Sequence, residues 1–254
     1  RTQANDVVTV DVKETEGGTK SFVTDLSQTG KLISKVTFPD NTRNQSTQTP
    51  DGINTTTFAD GNRIVSTTTA DPIFGTFAPT TSTTVTTPAG LNRVQSTTVS
   101  VTPAAGATSL YDWAKRVTTT KVNNRPTVVT FDRPSRTETT LTPVGRTYTA
   151  VLDALGRVVQ HNNPGRAPVT IVYDAAGRLE QVTQGTRSRQ LGFDSATGFV
   201  ASSTVTGVNE VTHFIRDDVG RISESTAPDS QVTGFDYDEV GNLLALTPPG
   251  RVAH

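Results

Sequence analysis

A turn motif that recurs at a nearly constant interval constrains this sequence more than any other feature. Three clear copies carry an aspartate, two further residues and a glycine, at Leu152–Val158, Tyr173–Leu179 and Tyr237–Leu243. Phe193–Gly198 has one extra residue before its glycine, and Arg216–Ile222 has a charge where the aromatic residue is expected. The leading aspartates, at positions 153, 174, 194, 217 and 238, are separated by 21, 20, 23 and 21 residues. A period kept over five copies predicts a repeat architecture.

Each copy predicts the tip of a β-hairpin. The aspartate accepts a hydrogen bond from the backbone N–H two residues on, and glycine adopts the positive φ that a side chain resists. On Tyr173–Leu179 this turn puts Asp174 opposite Arg178, and Tyr173 opposite Leu179 on the other face. Each repeat is therefore expected to be an amphipathic hairpin, and because an isolated hairpin is only marginally stable, successive hairpins should pair into an antiparallel sheet.

The motif also predicts backbone conformation and the face on which each side chain lies. Positive φ is expected at Gly156, Gly177, Gly220 and Gly241. One face should carry the apolar side chains of Leu152, Val158, Tyr173, Leu179, Phe193, Tyr237 and Leu243, and the other face Arg157, Arg178 and Arg221. The complete set of predicted structural turn residues is Asp153, Gly156, Arg157, Tyr173, Asp174, Gly177, Arg178, Leu179, Asp194, Gly198, Asp217, Gly220, Arg221, Tyr237, Asp238 and Gly241.

The Tyr-Asp-x-x-Gly-Arg-Leu repeat at this period resembles the RHS/YD-repeat proteins. These include bacterial polymorphic toxins, the cocoon subunits of insecticidal toxin complexes and the extracellular part of teneurins. The turn-rich segment Thr49–Leu91 and the ending Leu246–Arg251 are also similar to members of this family. The resemblance implies an all-β sheet of hairpins that coils into the wall of a hollow shell.

The resemblance also implies a function and a location. The chain would be a structural, non-enzymatic wall segment of a secreted or cell-surface (bacterial envelope or extracellular) assembly that encloses a toxin or other effector. Its expected partners are the flanking repeats and a C-terminal effector in the same polypeptide, with self-association through sheet edges. The alternative from another class is an extracellular adhesin, a surface module that binds a carbohydrate or a receptor.

Turn signals and repeat strength divide the chain into three expected segments. Residues 1–105 form a threonine-rich β segment, residues 106–144 contain degenerate repeats, and residues 145–254 contain the clear repeats. In the middle segment, Tyr111–Val117 predicts a decayed hairpin tip that is closed at Ala114 or Lys115 or that has a turn of another type, and Phe131–Pro134 predicts a second relic. The strands expected in the first segment are Asp6–Val12, Phe22–Thr24, Leu32–Phe38, Ile53–Phe58, Ile64–Thr69, Val94–Val101 and one around Val85.

Composition argues against several classes of protein. The hydrophobic fraction of 33% and the aromatic fraction of 6% are low for a globular enzyme, and a net charge of −1 provides no basic field for nucleic acid. No apolar run approaches the length of a membrane span. The sequence contains no cysteine and no methionine and opens with Arg1, so we expect a piece of a longer protein.

The residues that usually carry chemistry do not form a recognisable site. The three histidines share no metal-like or triad-like spacing, and no nucleophile elbow or phosphate-binding glycine loop occurs. Asp71–Gly75 resembles the Asp-Pro-x-Gly element at which many RHS toxins cleave themselves, but it precedes the repeats, which favours a simple turn. Asp217–Asp218 and Asp238–Glu239 could be imagined as calcium ligands, yet their turn-closing role is favoured. We therefore expect no catalytic residue, no cofactor and no metal.

Overall fold

The computed structural model describes residues 2–13, 17–208 and 210–254. Regular structure in this described part consists of β-strands joined by short turns and loops, and each described pairing is antiparallel. The predicted all-β class of hairpin repeats is therefore confirmed. The chain divides into two compact units, Arg1–Thr147 and Tyr148–His254. The three-segment division at residues 105 and 144 stays a prediction.

The first unit is a meander in which each strand pairs with the next one along the chain. Its strands are β1 (Thr2–Ala4), β2 (Val7–Lys13), β3 (Thr19–Asp25), β4 (Leu32–Thr37), β5 (Arg43–Gln48), β6 (Ile53–Thr57), β7 (Arg63–Asp71), β8 (Gly75–Thr86), β9 (Asn92–Pro103), β10 (Trp113–Val122), β11 (Arg125–Asp132) and β12 (Thr137–Leu141).

The second unit repeats the same connectivity with strands of five to seven residues, as the 21-residue period requires. Its strands are β13 (Thr147–Leu152), which begins one residue before the unit, β14 (Val158–Asn162), β15 (Val169–Tyr173), β16 (Leu179–Gln184), β17 (Arg187–Phe193), β18 (Val200–Thr206), β19 (Glu210–Arg216), β20 (Ile222–Thr226), β21 (Val232–Tyr237) and β22 (Leu243–Thr247).

Two expectations for the first unit were wrong or incomplete. The sequence did not predict β5, because Arg43–Gln48 contains no apolar residue that would mark an alternating strand. The predicted tip at Ala114 or Lys115 is wrong, since both residues lie within β10. The chain reverses instead in the preceding loop, where Gly106 supplies a left-handed residue with φ +73°. The second relic does turn, with Arg136 left-handed at φ +51°.

Strand register sorts the side chains of the second unit onto two different faces. Tyr173 lies opposite Leu179, and Tyr237 lies opposite Leu243, as predicted. Because side chains alternate along each strand, the predicted apolar set shares this face. The opposite face carries rows of polar residues such as Gln181 opposite Gln190. The second unit is thus built on a sheet whose side chains pack mainly against same-face neighbours.

Burial is correspondingly shallow. Leu179 remains 38% exposed and Leu243 51% exposed, although both belong to the apolar face. Among the described residues, the one apolar side chain that is buried is Ile73, at 7% exposure. Contacts between neighbouring strands and turns must therefore supply much of the stability.

Candidate functional site

The repeated turns of the second unit form a series that we call the motif edge: residues 153–157, 174–178, 194–199, 217–221 and 238–242. In the second of these turns, the N–H of Asp174 donates to the carbonyl of Arg178 at 2.9 Å, and the N–H of Gly177 donates to the carbonyl of Asp174 at 2.9 Å. The same two bonds close the turns at Asp153, Asp217 and Asp238. The φ angles of Gly156, Gly177, Gly220 and Gly241 are +79°, +82°, +89° and +93°, so the predicted positive φ is confirmed.

The aspartate side chain completes each tip. Asp153 Oδ1 accepts from the N–H of Leu155 at 2.8 Å and from the N–H of Arg157 at 2.9 Å, while its Oδ2 accepts from Arg157 Nε at 2.7 Å. Asp174 and Asp217 hold Arg178 and Arg221 in the same way. The N–H of Arg157 makes the largest contribution to lowering the pKa of Asp153, and the arginine side chain lowers it further. The carboxylate is therefore an ionised acceptor at neutral pH.

Each of these arginines also reaches the next repeat. Its guanidinium lies against the aromatic ring that precedes the next aspartate, at a distance typical of cation–π contacts. The distances from the guanidinium carbon to the ring centroid are 4.3 Å for Arg157 and Tyr173, 4.1 Å for Arg178 and Phe193, and 4.7 Å for Arg221 and Tyr237.

The prediction that these arginines and aromatic residues occupy opposite faces is therefore wrong. Arg157, Arg178 and Arg221 each lie just before the first residue of a strand, next to the tip. Strict alternation of side chains applies within strands and does not restrict a long side chain at a turn. The arginine can thus extend sideways along the motif edge to the neighbouring ring.

Hydrogen bonds join the repeats in both directions. Arg178 Nη1 donates to the carbonyl of Gly198 at 3.1 Å, and Arg221 Nη1 donates to the carbonyl of Asp238 at 2.9 Å. In return, the hydroxyl of Tyr173 donates to the carbonyl of Val158 at 3.2 Å, in the preceding repeat. Tyr237 makes the equivalent bond to Ile222 at 3.0 Å. The sequence analysis did not predict this network, although the sequence shows an arginine after one turn glycine and an aromatic residue before the next aspartate.

The glycines also leave room for this sideways packing. A Cβ atom on Gly177 would lie 3.2 Å from Arg157 Nη1, and one on Gly198 would lie 3.3 Å from Arg178 Nη1. Glycine is needed at these positions for its positive φ and for the close approach of the neighbouring side chain.

In the first unit, the Asp71–Gly75 element closes the hairpin between β7 and β8. The carboxylate of Asp71 has no exposed surface, and it accepts from Arg116 Nη2 at 2.7 Å and from the N–H groups of Ile73 and Phe74. Burial raises its pKa most, but these hydrogen bonds and the arginine charge outweigh burial and lower it. The sequence predicted the turn but missed the ion pair, because Arg116 lies 45 residues away.

Residues 2–13, 17–208 and 210–254 contain no group of three or more histidine, aspartate or glutamate side chains placed to hold a metal ion. They form no helix with the length and apolarity needed to cross a membrane.

Comparison with curated proteins finds no match. Two solved structures, titled "Crystal Structure of TcdB2-TccC3-Cdc42" and "Crystal Structure of TcdB2-TccC3", are 11% and 12% identical, with TM-scores of 0.38, and the alignments cover 94% of this chain. The TCP10 domain of Danio rerio CPAP, in complex with a peptide of Danio rerio STIL, is 14% identical with a TM-score of 0.24, over 95% of this chain and 99% of that one. These TM-scores are too low to support an argument, and this chain spans only 17% of the length of the TcdB2-TccC3 chains.

A family model described as Teneurin YD-shell matches residues 3–254, nearly the whole sequence. The match agrees with the YD-type repeats and with the antiparallel hairpins that they form. The chain belongs to the teneurin YD-shell family.

Proposed function

We propose that this chain is a non-enzymatic wall segment of a shell that encloses a toxin or other effector. Membership of the YD-shell family supports a structural role. The observation that carries the proposal is the motif edge, where hairpin after hairpin is joined to the next by an arginine, an aromatic ring and backbone carbonyls. These contacts hold neighbouring repeats together without requiring a ligand.

The two faces of the second unit fit a wall. One face is lined by apolar pairs such as Tyr173 and Leu179, and the other by polar pairs such as Gln181 and Gln190. A sheet with chemically different faces can present one surface to an enclosed space and the other to the surroundings. The backbone hydrogen bonds between strands and the side-chain contacts along the motif edge would together keep such a wall continuous.

The hydrogen bonding and the lowered pKa of the aspartate carboxylates support a non-enzymatic role. Asp153, Asp174 and Asp217 each accept backbone and guanidinium hydrogen bonds. The pKa of Asp174 is lowered, first by the N–H of Arg178. A general acid requires a carboxyl group whose pKa is raised towards neutrality. These aspartates are therefore suited to closing turns rather than to transferring protons.

The proposal includes partners and a location. The partners are flanking repeats and an effector within the same polypeptide, and free sheet edges would associate with a second copy, because unpaired edges are templates for another strand. The assembly would be secreted or displayed at the cell surface. The proposed wall segment uses no small-molecule cofactor.

Protease protection tests the enclosure directly. The parent polypeptide, with this segment and an effector region, would be digested under native conditions, with the isolated effector as the control. The effector region should survive in the parent and be cleaved in isolation. Equal rates of cleavage in the two samples would contradict the enclosure, while leaving the fold of the wall intact.

Recognition of a glycan or a receptor is a second candidate function, favoured by one region of the first unit. A cleft of about 510 Å³ is lined by Ile73, Pro103 and Trp113. Leu110 at its margin is 74% exposed and the adjacent Tyr111 is 63% exposed. Aromatic and aliphatic surfaces of this kind are typical of recognition sites. Binding of immobilised glycans or cell-surface proteins that is lost in Trp113→Ala, with the fold preserved, would favour this function.

A further inference from the structure

The junction between the third and fourth turns of the motif edge departs from the motif at three places. The turn that begins at Asp194 is one residue longer than the others. Phe199 follows its glycine, where the first, second and fourth turns have arginine. Arg216 precedes Asp217, where an aromatic or aliphatic residue precedes the other leading aspartates.

The structure shows that the sideways contact is kept with its two partners exchanged. The guanidinium carbon of Arg216 lies 5.2 Å from the ring centroid of Phe199. The ring of Phe199 lies beside Gly220 of the next turn, just as the side chain of Arg157 lies beside Gly177. A Cβ on Gly220 would lie 2.6 Å from Phe199 Cζ. The cation has moved to the fourth turn and the ring to the third.

Arg216 also takes over the hydrogen bonding of the tyrosine that it replaces. At the junction between the first and second turns, which follows the motif, the hydroxyl of Tyr173 donates to the carbonyl of Val158, the residue after Arg157. At the exchanged junction, Nη2 and Nε of Arg216 donate to the carbonyl of Val200, the residue after Phe199, at 3.3 and 3.4 Å, while its Nη1 donates to the carbonyl of Gly220 in its own turn at 2.8 Å. The same backbone acceptor is thus satisfied from the same side by a different side chain.

The extra residue in the third turn replaces the missing arginine. Because Phe199 cannot pair with Asp194, the carboxylate requires another donor. Thr197 provides two, since its N–H and its hydroxyl each donate to Asp194 Oδ1 at 2.7 Å. The longer turn therefore keeps the aspartate satisfied without a cation in its own repeat.

We infer that Thr197, Phe199 and Arg216 form one compensated unit that determines which hairpin can pack beside the third turn. A junction of the motif edge accepts one cation and one ring in either order, and it disfavours two cations or two rings. The surface at Phe199 therefore fits a hairpin with a cation before its aspartate, as the fourth hairpin has. In a chain of similar repeats, such a difference opposes pairing with the wrong repeat or with another molecule. This inference holds whether or not the wall encloses an effector.

A set of three variants in the 254-residue chain tests the exchange. Phe199→Arg places two cations at the junction, and Arg216→Tyr places two rings there. Each single variant should lower the urea midpoint of unfolding. The double variant, Phe199→Arg with Arg216→Tyr, restores one cation and one ring in the consensus order. It should recover most of the lost midpoint, because the interaction between neighbouring residues is not additive.

A matched set at the first junction tests the contribution of the longer turn. Arg157→Phe and Tyr173→Arg together create the exchanged order beside a turn of ordinary length. This double variant should recover less than the double variant at Phe199 and Arg216, because Asp153 loses its arginine and has no equivalent of Thr197. Inserting a threonine before Gly156 in that variant should increase the recovery.

The outcomes distinguish an exchanged pair from two independent side chains. Recovery by the Phe199 and Arg216 double variant supports the exchanged pair, and so does a double variant that folds when either single variant does not. Destabilisation equal to the sum of the two single effects, or failure of the double variant to fold, would overturn it. Complete recovery at the first junction without the inserted threonine would overturn the role given to Thr197.

Discussion

In the first unit, the turn Thr142–Arg146 is closed by the same pair of backbone hydrogen bonds as Asp174–Arg178 in the second unit, and Gly145 has φ +78°. The turn Phe38–Thr42 uses the same bonds with Asn41 as its left-handed residue. The aspartate is therefore not required for this turn geometry. Arg133 of the first unit also contacts a ring, that of Trp113. What distinguishes the second unit is one arrangement repeated at three junctions, in which an arginine after the turn glycine leaves its own turn and packs against the next one.

The periodic motif encodes contacts between repeats as well as the turns themselves. Thr142 contributes its hydroxyl only to its own turn, where it accepts from the N–H of Arg146. Asp174 binds its turn and also positions Arg178, which contacts Phe193 and the carbonyl of Gly198. A turn can form from many sequences, but a chain of contacts between turns requires particular residues in every copy. The period in the sequence thus records the contacts between repeats.

The largest expected difference between the units concerns their ion pairs. Asp71→Ala in the first unit leaves Arg116 without its partner and two backbone N–H groups without an acceptor, and should lower the free energy of unfolding by about 3 kcal/mol. Asp174→Ala in the second unit should cost less, because Arg178 is 38% exposed and can be solvated. Urea denaturation of both variants measures the difference. An equal or greater loss for Asp174→Ala would reverse the comparison.

The second expected difference concerns glycine. Gly220→Ala must place a Cβ at φ +89° and against the ring of Phe199, and should lower stability by roughly 2–4 kcal/mol. Gly145→Ala in the first unit causes backbone strain alone, since the added Cβ would have no neighbouring atom within 4 Å. It should lower the free energy of unfolding by about 1 kcal/mol. Thermal unfolding of the two variants gives the ranking. Equal losses would show that contact between the turns adds nothing to the need for glycine.

The third difference concerns arginine. Arg221→Met removes the contact with Tyr237, the bond to the carbonyl of Asp238 and the pair with Asp217, and should cost roughly 1–2 kcal/mol. Arg146→Met is the matched control, because that arginine follows a turn glycine in the first unit but is exposed. Its effect should stay within about 0.5 kcal/mol. A control loss as large as that of Arg221→Met would remove the distinction between the units.

The smallest expected effect is on the pH dependence. The pKa of Asp153 and that of Asp174 are lowered, chiefly by the N–H groups of Arg157 and Arg178. A carboxyl group with a lowered pKa in the folded state stabilises it above the unfolded pKa, about 3.9, and loses that contribution as the pH falls through the folded value. Stability should thus be flat near neutrality and fall on acidification below about pH 4.

The variant Asp153→Asn with Asp174→Asn should show a shallower loss of stability on acidification, because two of the titrating groups are absent. Urea midpoints measured between neutral and acidic pH provide the test. The same slope in the variant and the unmodified chain would mean that these aspartates do not contribute to the pH dependence.

Much of the backbone could be predicted from the sequence. Asp-x-x-Gly identified the tips at Asp153, Asp174, Asp217 and Asp238, because a local hydrogen bond and a left-handed residue are properties of adjacent positions. The cross-strand pair of Tyr173 and Leu179 followed from the same turn. These features depend on a few consecutive residues, so a single sequence contains the information needed.

The contacts between repeats were harder to predict. Alternation placed Arg157 on the face opposite Tyr173, but a side chain at a strand end is free to extend along the edge. Tyr111–Val117 looked like a repeat, yet it lacks the turn glycine, and Trp113 begins a long strand instead. The exchange of Phe199 and Arg216 was visible only as two separate departures from the motif. It becomes one feature when the two side chains are seen in contact.

We expect neighbouring hairpins to be coupled through the arginine and the aromatic ring of the motif edge. A double-mutant cycle on Arg178→Met and Phe193→Leu, measured by urea unfolding, tests this coupling most directly. The two effects should not be additive, with a favourable coupling free energy of about 0.5–1 kcal/mol between the two side chains. Additive effects, with no measurable coupling, would contradict the claim and reduce the motif to a set of independent turns.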